Sequence, residues 1–212
     1  MDAPGMTVKN VGGSNPFLFR SDTLVPGREV TIDATYTPAG TNGYKLVQAG
    51  AVIGKITASG LHRECTATVL TKDAGASDVV YYVDNAKAFV VGDEFSVYHS
   101  AAWIAAQTIT AIELGTADGD KITVDTTLGA AVSAADPAKA DDGSYDAIGV
   151  AINTTDVTKG DGAVTLAKRA DLNEVGMPYA VTGKNHTLPD AVKTALLALT
   201  DADLTVEGGV TA

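Results

Sequence analysis

The chain has 212 residues, of which 45% are hydrophobic, 6% are aromatic and 19% are charged, and its net charge is −11. This length suffices for one or two small domains with real cores. The acidic balance argues against a nucleic-acid partner, because phosphate binding needs clustered Lys and Arg. No run reaches the roughly 18 apolar residues of a transmembrane helix, so we expect no membrane partner.

The cysteine count and the first residues of the sequence indicate the compartment in which the chain is made. The single cysteine, Cys65, excludes an internal disulfide framework. The opening segment, MDAPGMTVKN, lacks the basic and apolar regions of a signal peptide. We therefore expect the chain to be made and folded in a reducing cytoplasm.

Residues 1–43 are punctuated by Gly and Pro too often for long elements, which predicts an extended N-terminal arm. Two short extended pieces remain, Phe17–Arg20 and Glu29–Thr35, and Val30 and Ile32 share one face of the second. Such a segment commonly lies along a partner surface or another subunit. The alternative is a partly disordered terminus.

The first predicted β region begins at Tyr44 and contains Ala49–Gly60, with the sequence AGAVIGKITASG. Its apolar residues predict a short strand, and Gly50, Gly54 and Gly60 indicate close backbone approach or positive φ. Residues 61–72 alternate loosely, and the polar segment Lys72–Asp78 predicts a boundary.

Residues 79–135 predict a separate all-β module, a small barrel or sandwich. Asp118-Gly119 predicts the turn of a hairpin. Within Thr108–Leu114 the alternation places Ile112 and Leu114 on one face. The predicted strands are Val79–Val83, Glu94–His99, Thr108–Leu114 and Lys121–Asp125.

The segment Ala134–Gly143 predicts a polar, flexible joint, after which strand patterns resume. Gly149 lies inside the next strand pattern and predicts a bulge or a close contact. A further strand is predicted at Ala163–Arg169.

One helix is predicted near the end, over residues 187–200. Thr187 and Asp190 approximate a capping box, and Val192 and Leu196 have helical spacing. The fold class predicted from these patterns is mainly β with one short C-terminal helix.

No catalytic constellation is visible. The histidines, His62, His99 and His186, are far apart and fit no metal-ligand pattern, and Cys65 has no C-x-x-C partner. Phosphate-loop and dinucleotide motifs are absent. We therefore predict no enzyme and no cofactor, and name no catalytic or metal-binding residue. A Ca²⁺ ion remains an open alternative at the acidic turn residues, which are Asp118, Asp120, Asp141, Asp142 and Asp161.

Two segments carry a resemblance to a known family. The first is Ala49–Gly60, and the second is DDGSYDAIGVAINTTDVTKGDGAVTLAKRADLNE, from Asp141 to Glu174. In this order they resemble the head decoration proteins of lambda-like tailed phages, small β-rich proteins that coat the capsid. The resemblance covers residues 44–62 and 141–176. In the family a short stretch separates the two segments, whereas here residues 61–140 intervene.

The resemblance implies a homotrimeric capsid cement protein on the virion exterior, assembled in the host cytoplasm. It would bind the major capsid protein of the expanded head and stabilise the coat lattice. Its N-terminal segment would contact the coat protein. The predicted capsid contacts are Phe17, Leu18, Phe19, Arg20, Val30 and Ile32, for which the alternative is local packing within this protein.

The domain organisation predicted from these patterns and the resemblance has four parts. Residues 1–43 form the arm, and residues 44–72 with 141–176 form a discontinuous decoration-like core. Residues 73–140 form an inserted β module, and residues 177–212 form an extension containing the helix. The alternative function is a phage tail, fibre-base or surface adhesin built of small β modules.

Overall fold

The structure, a computed structural model, describes residues 18, 23–40, 42–174, 177 and 188–207. The chain is mainly β, as the sequence predicts. The elements in the described residues are β1 (Val25–Ile32), β2 (Leu46–Val47), β3 (Val52–Lys55), β4 (His62–Glu64), β5 (Thr68–Val69), β6 (Val80–Val83), β7 (Glu94–His99), β8 (Ala102–Trp103), β9 (Gln107–Thr116), β10 (Gly119–Val124), β11 (Pro137–Ala140), β12 (Ala147–Val150), β13 (Thr155–Asp156), β14 (Gly162–Asn173), α1 (Asp190–Leu197) and β15 (Asp203–Glu207), with a 3-10 turn at Ala34–Tyr36.

The first large sheet, called here the curled sheet, has the strand order β12-β3-β4-β1-β14-β15. Ala151, directly after β12, forms a bridge with Leu166 in β14. The sheet therefore curls until its first strand approaches its fifth. At β3 both faces of this sheet are buried: Ile53 packs inside the curl with Val30 and Ile32. Val52, its neighbour, packs on the outer face in the cluster that also contains residues of α1.

The second large sheet, called here the inserted sheet, has the order β5-β11-β7-β9-β10-β6, with β8 added beside β7. Leu70 bridges Val83, and the Asp84 N–H donates to the Val69 carbonyl at 2.9 Å. The last strand therefore returns to the first, and closure leaves few free strand edges. Its core contains Tyr81 and Phe95, whose ring centroids lie 5.6 Å apart.

Several predicted strands match closely. The strand Glu94–His99 has the predicted bounds, and Gly119 faces Thr116 across the predicted hairpin. The face predicted for β9 differs, because a register shift between β9 and β10 lets Ile109 enter the core while Leu114 is 50% exposed. A bulge changes which residues point inward, and simple alternation does not anticipate it.

Other segments differ from the predicted layout. Residues 25–32, assigned from sequence to an arm, form β1 inside the curled sheet. β5 precedes residue 73 and yet belongs to the inserted sheet. The expected flexible joint contains β11, whose last three residues are buried. These short segments acquire strand structure from neighbours distant in sequence, which local composition does not report.

The helix is present but shorter than predicted, at Asp190–Leu197. Val192 and Leu196 are buried on one face, as their spacing predicts. Pro189 occupies the N-cap without a side-chain cap, and Thr187 lies outside the described residues. β15 follows the helix and pairs in parallel with β14, so the C-terminal extension contributes a strand to the curled sheet.

The two resemblance segments meet in the curled sheet, and glycines allow their backbones to approach closely. β3 and β12 pair directly, and the Thr57 N–H donates to the Asp142 carbonyl at 2.8 Å. A Cβ atom on Gly54 would lie 2.6 Å from the Ser144 carbonyl carbon and closer still to its oxygen. Gly149 lies at a register shift, as predicted. Glycine is therefore required at position 54, because any side chain there would collide with the backbone of Ser144, 90 residues later in the chain.

Candidate functional site at the junction of the two sheets

The predicted capsid contacts fall in two groups. Leu18 is 8% exposed and forms a bridge with Leu172 in β14, while Val30 and Ile32 are 8% and 0% exposed inside the curled sheet. These three side chains contact this chain's own core and offer little surface to another protein. Phe17, Phe19 and Arg20 lie outside the described residues.

The chain crosses between the two sheets twice, at neighbouring positions. Thr66 follows β4 on the outward crossing, and Ser144 lies on the return crossing, with their hydroxyl oxygens 3.0 Å apart. The Ala140 N–H also donates to the Thr66 hydroxyl at 3.3 Å. The two crossings therefore support each other and define the junction.

Arg63 occupies the centre of this junction, and its side chain is fully buried. The guanidinium donates to both carboxylate oxygens of Asp93, at 2.8 and 2.9 Å, and to Asp142 at 3.1 Å. It also donates to the Ala88 carbonyl at 2.5 Å and lies 4.7 Å from the centroid of the Tyr36 ring. Because Arg63 belongs to the curled sheet and Asp93 to the inserted module, one buried ion pair ties the two together.

The electrostatics of this pair favour the charged guanidinium. Burial would lower the pKa of Arg63, but the hydrogen bonds and negative charges of Asp93 and Asp142 outweigh burial and raise the pKa. Asp142 is itself held by the Ser144 N–H and hydroxyl, at 2.8 and 2.6 Å. Arg63, Asp93 and Asp142 therefore pair with one another, although the buried Arg63 Nε has no hydrogen-bond partner among the described residues. The arrangement is suited to rigidity.

Cys65 lies beside Arg63 and faces the return crossing. Its thiol donates to the Tyr145 carbonyl at 3.2 Å, and burial raises the pKa of Cys65 to about 12. A thiol in this state is a poor nucleophile.

An aromatic–lysine cluster covers the junction at the surface, formed by Tyr98, Trp103, Lys139 and Tyr145. The Lys139 ammonium lies 4.3 Å from the Trp103 ring centroid and 3.9 Å from that of Tyr145. It also pairs with Asp141 at 2.9 Å, and its side chain is only 6% exposed. Tyr98 meets Trp103 edge to face at 5.3 Å.

This cluster presents aromatic rings to solvent. Trp103 is 40% exposed and Tyr98 is 38% exposed. Trp and Tyr are enriched in protein interfaces because they combine large apolar area with a polar end. The aromatic–lysine cluster is therefore the candidate binding surface at the junction.

The histidines and the acidic turn residues considered from the sequence do not come together at one site. His62 Nδ1 lies 3.1 Å from the Thr31 carbonyl oxygen and His99 Nδ1 lies 2.7 Å from Asp136, while His186 is outside the described residues. Asp118 pairs with Lys72, and buried Asp120 accepts from the backbone of Ala86 and Gly115. Asp161 accepts from the Ala34 N–H.

No group of three or more His, Cys, Asp and Glu residues that could hold a metal ion occurs in the described part of the chain. Over the same residues, no helix has the length and apolar character needed to span a membrane.

Sequence reasoning did not single out Arg63, Asp93, Lys139 or Tyr145. The only usable signal was an arginine on the inward face of a short strand, since a buried charge requires a partner. Comparisons of this chain with family models, with curated proteins and with solved structures found no match.

Proposed function

We propose that this chain is a capsid decoration protein of a lambda-like tailed phage. It binds the major capsid protein on the outside of the expanded head as a homotrimer and stabilises the coat lattice. The mechanism is multivalent clamping: each trimer contacts several coat subunits, so the later contacts form at high effective concentration.

The observation that carries the proposal is the contact between the two resemblance segments. The strands β3 and β12 are neighbours in the curled sheet, and Gly54 lies against the backbone of Ser144. Residues between them leave the curled sheet, form the inserted sheet and return beside their point of departure. A core that is continuous in space and split in sequence supports the resemblance to the short family members.

The junction supports a clamping mechanism. A protein that spans several lattice positions is effective only if its own parts keep their relative geometry, because flexibility lowers effective concentration. The buried bidentate pair of Arg63 and Asp93 restrains the inserted module against the curled sheet. The acidic net charge of −11 and the exposed Trp103 are compatible with a protein partner.

The proposal assigns coat contact to the segment before Leu18, with Phe17 as one anchor. Deletion of residues 1–17 tests this, because it retains the Leu18–Leu172 bridge and all of β1. A larger deletion through residue 35 would remove β1 and unfold the sheet. We expect the shorter deletion to weaken capsid binding while the thermal unfolding transition is retained; unchanged capsid binding would refute the assignment.

Two measurements test the proposal as a whole. Light scattering should give the mass of a trimer of the 21.6 kDa chain. The protein should co-sediment with expanded empty capsids of its phage and not with unexpanded ones. A monomer that binds neither capsid form would refute the function.

A second candidate is an adhesin of the tail or virion surface. The exposed Trp103 and Tyr98 rings favour it, because aromatic rings at a surface can also stack on glycans. Trp103→Ala distinguishes the two. If the protein is an adhesin, the variant should lose binding to host cells or glycan arrays. Capsid binding should then be retained in the variant, or be absent already in the parent protein.

A further inference from the structure

The hairpin that joins β7 to β8, called here the aromatic tip, comprises residues 98–103. The two strands pair as far as His99 and Ala102, so only two residues form the turn. The rings of Tyr98 and Trp103 are 38% and 40% exposed. The small residues between His99 and Trp103 are exposed beside them. The aromatic tip therefore offers two rings and three small side chains to a partner.

The sequence around the aromatic tip differs in charge from the rest of the chain. Residues 95–112 contain no Asp, Glu, Lys or Arg, and no other run in the sequence without these residues is as long. The whole chain has 26 acidic and 15 basic residues and a net charge of −11. The centres of protein interfaces have the same composition as this tip, because charged residues are depleted there and Tyr and Trp are enriched.

The turn has a backbone conformation that its residues seldom adopt. Ser100 and Ala101 have φ of 49° and 67°, the pattern of a type I′ turn, for which Asn-Gly is the usual sequence. In the described part of the chain, the only other non-glycine residue with positive φ is Ala135. It directly precedes Asp136, whose carboxylate lies 2.7 Å from His99 Nδ1. Strain of this kind persists only where the surroundings fix it, and it is concentrated at functional sites.

The rings themselves are also restrained. Tyr98 meets the Trp103 ring edge to face at 5.3 Å, and the Lys139 ammonium lies 4.3 Å from the centroid of Trp103. Because the rings and the turn already have fixed positions, a partner that binds them has few torsions to order, which lowers the cost of association.

The charge of the chain indicates which partner would use an uncharged surface. Two copies with a net charge of −11 each repel one another wherever their acidic surfaces meet, and they can approach closely where charges are absent. The acidic residues before and after β11 already have partners within the chain, since Asp136 contacts His99 and Asp141 pairs with Lys139 at 2.9 Å. A basic partner would instead gain from the carboxylates that residues 95–112 lack.

We propose that the aromatic tip is a self-association surface, at which Tyr98 and Trp103 pack against a second copy of this chain. The inference rests on the proposed homotrimer and names the side chains at the centre of its interface. The aromatic tip is small, so it supplies the buried anchor, and the surface around it supplies the remaining area that a stable interface needs.

Sedimentation equilibrium of the full chain and its variants tests the proposal. Trp103→Glu removes one ring, whereas Ala102→Glu keeps both rings and adds a negative charge at an exposed position of the tip in every copy. Each change should raise the concentration at which half of the chains are trimeric by about tenfold or more, which corresponds to about 1.4 kcal/mol. Tyr44→Glu is the matched control, because Tyr44 is 52% exposed outside the tip, and its trimer should match that of the parent.

The sign of the salt dependence is a second test, and it needs no variant. Raising the salt concentration from about 0.05 to about 0.5 M screens the repulsion between acidic copies, so the trimer should become tighter. A trimer held by ion pairs would become weaker instead, and that result would overturn the proposal.

Fluorescence reports the aromatic tip directly, because Trp103 is the single tryptophan. Quenching of the parent protein by acrylamide should fall severalfold as the protein concentration is raised from the monomeric to the trimeric range, because a ring buried between copies is shielded from the quencher. Tyr44→Glu should show the same fall.

The possible failures are distinguishable. If Trp103→Glu and Ala102→Glu form trimers with the affinity of the parent, the aromatic tip is not the interface, although the proposed capsid function stands. A parent protein that is monomeric at every concentration would overturn both. If Trp103 is shielded only when expanded capsids or glycans are added, those partners cover the tip and self-association there is overturned.

Discussion

Replacing Gly54 with alanine introduces one methyl group at the contact between β3 and the return crossing. The new Cβ would lie 2.6 Å from the carbonyl carbon and 2.9 Å from the Cα of Ser144, closer than real Cβ contacts. The obstructing atoms are backbone, so no rotamer change relieves the clash. Relief requires movement of the turn at Asp142–Ser144, which carries a carboxylate bound to Arg63.

The expected loss follows from two opposing effects. Overpacking a buried site costs about 1–3 kcal/mol, and more where backbone must move. Removing a glycine stabilises the folded state by only about 0.4–1 kcal/mol through the unfolded chain. Because the obstructing atoms are backbone, we take the upper end of the first range and expect Gly54→Ala to lower the free energy of unfolding by about 2 kcal/mol. For a chain of this size that corresponds to a fall in Tm of roughly 4–8 °C.

Urea and thermal denaturation measure this loss, with circular dichroism reporting the whole chain and fluorescence reporting Trp103, the single tryptophan, beside the junction. Gly75→Ala is the matched control. Its Cβ would lie 3.5 Å from the nearest atom, an ordinary contact with the Asp78 side chain.

We expect Gly75→Ala to unfold like the parent protein. Stability of Gly54→Ala within about 0.5 kcal/mol of the parent, the usual range for a harmless surface change, would refute the close packing of the two segments. The observation that carries the proposed function would then be lost.

Three other changes test the junction. Arg63→Leu leaves Asp93 buried without its partner and should lower the free energy of unfolding by about 3–5 kcal/mol in urea denaturation. Lys72→Leu removes an exposed ion pair and should leave the Tm unchanged. Equal effects of the two changes would contradict a stabilising role for the buried Arg63–Asp93 pair. Burial raises the pKa of Glu64 from 4.5 to about 7, so ionisation of this carboxyl group opposes folding progressively as the pH rises from 4.5 to 7. Glu64→Gln should therefore be more stable than the parent by up to about 3 kcal/mol above pH 7. Below pH 4.5 the two proteins should have the same free energy of unfolding. Parallel stability–pH profiles would exclude this. Cys65 should resist an aromatic disulfide reagent at pH 8 until urea unfolds the chain, and rapid labelling of the native protein would show that the thiol is accessible.

Local sequence signals identified the elements that are regular over several residues. The Asp118-Gly119 turn and the strand Glu94–His99 follow from backbone preference and alternation, and these effects act within a few residues. The amphipathic spacing of Val192 and Leu196 likewise predicted α1. The resemblance segments also correctly suggested that Gly54 serves tight β packing.

Long-range effects decided the rest. β11 lies in a segment of polar, flexible composition, and its strand conformation depends on pairing with β7 and β5. β1 is central because β14, more than one hundred residues later by number, supplies its hydrogen bonds. The candidate binding surface is similarly assembled, because Trp103 belongs to β8 of the inserted sheet whereas Tyr145 lies on the return crossing before β12.

The sequence by itself determined a β-rich, acidic chain, because strand alternation, turn residues and charge are properties of neighbouring positions. Only the tertiary structure decided that Arg63 meets Asp93 and that Val30 and Ile32 are buried. The physical reason is that the partners of a buried charge and the neighbours of a core side chain are both distant in sequence. Their partners are chosen by sheet register and curl.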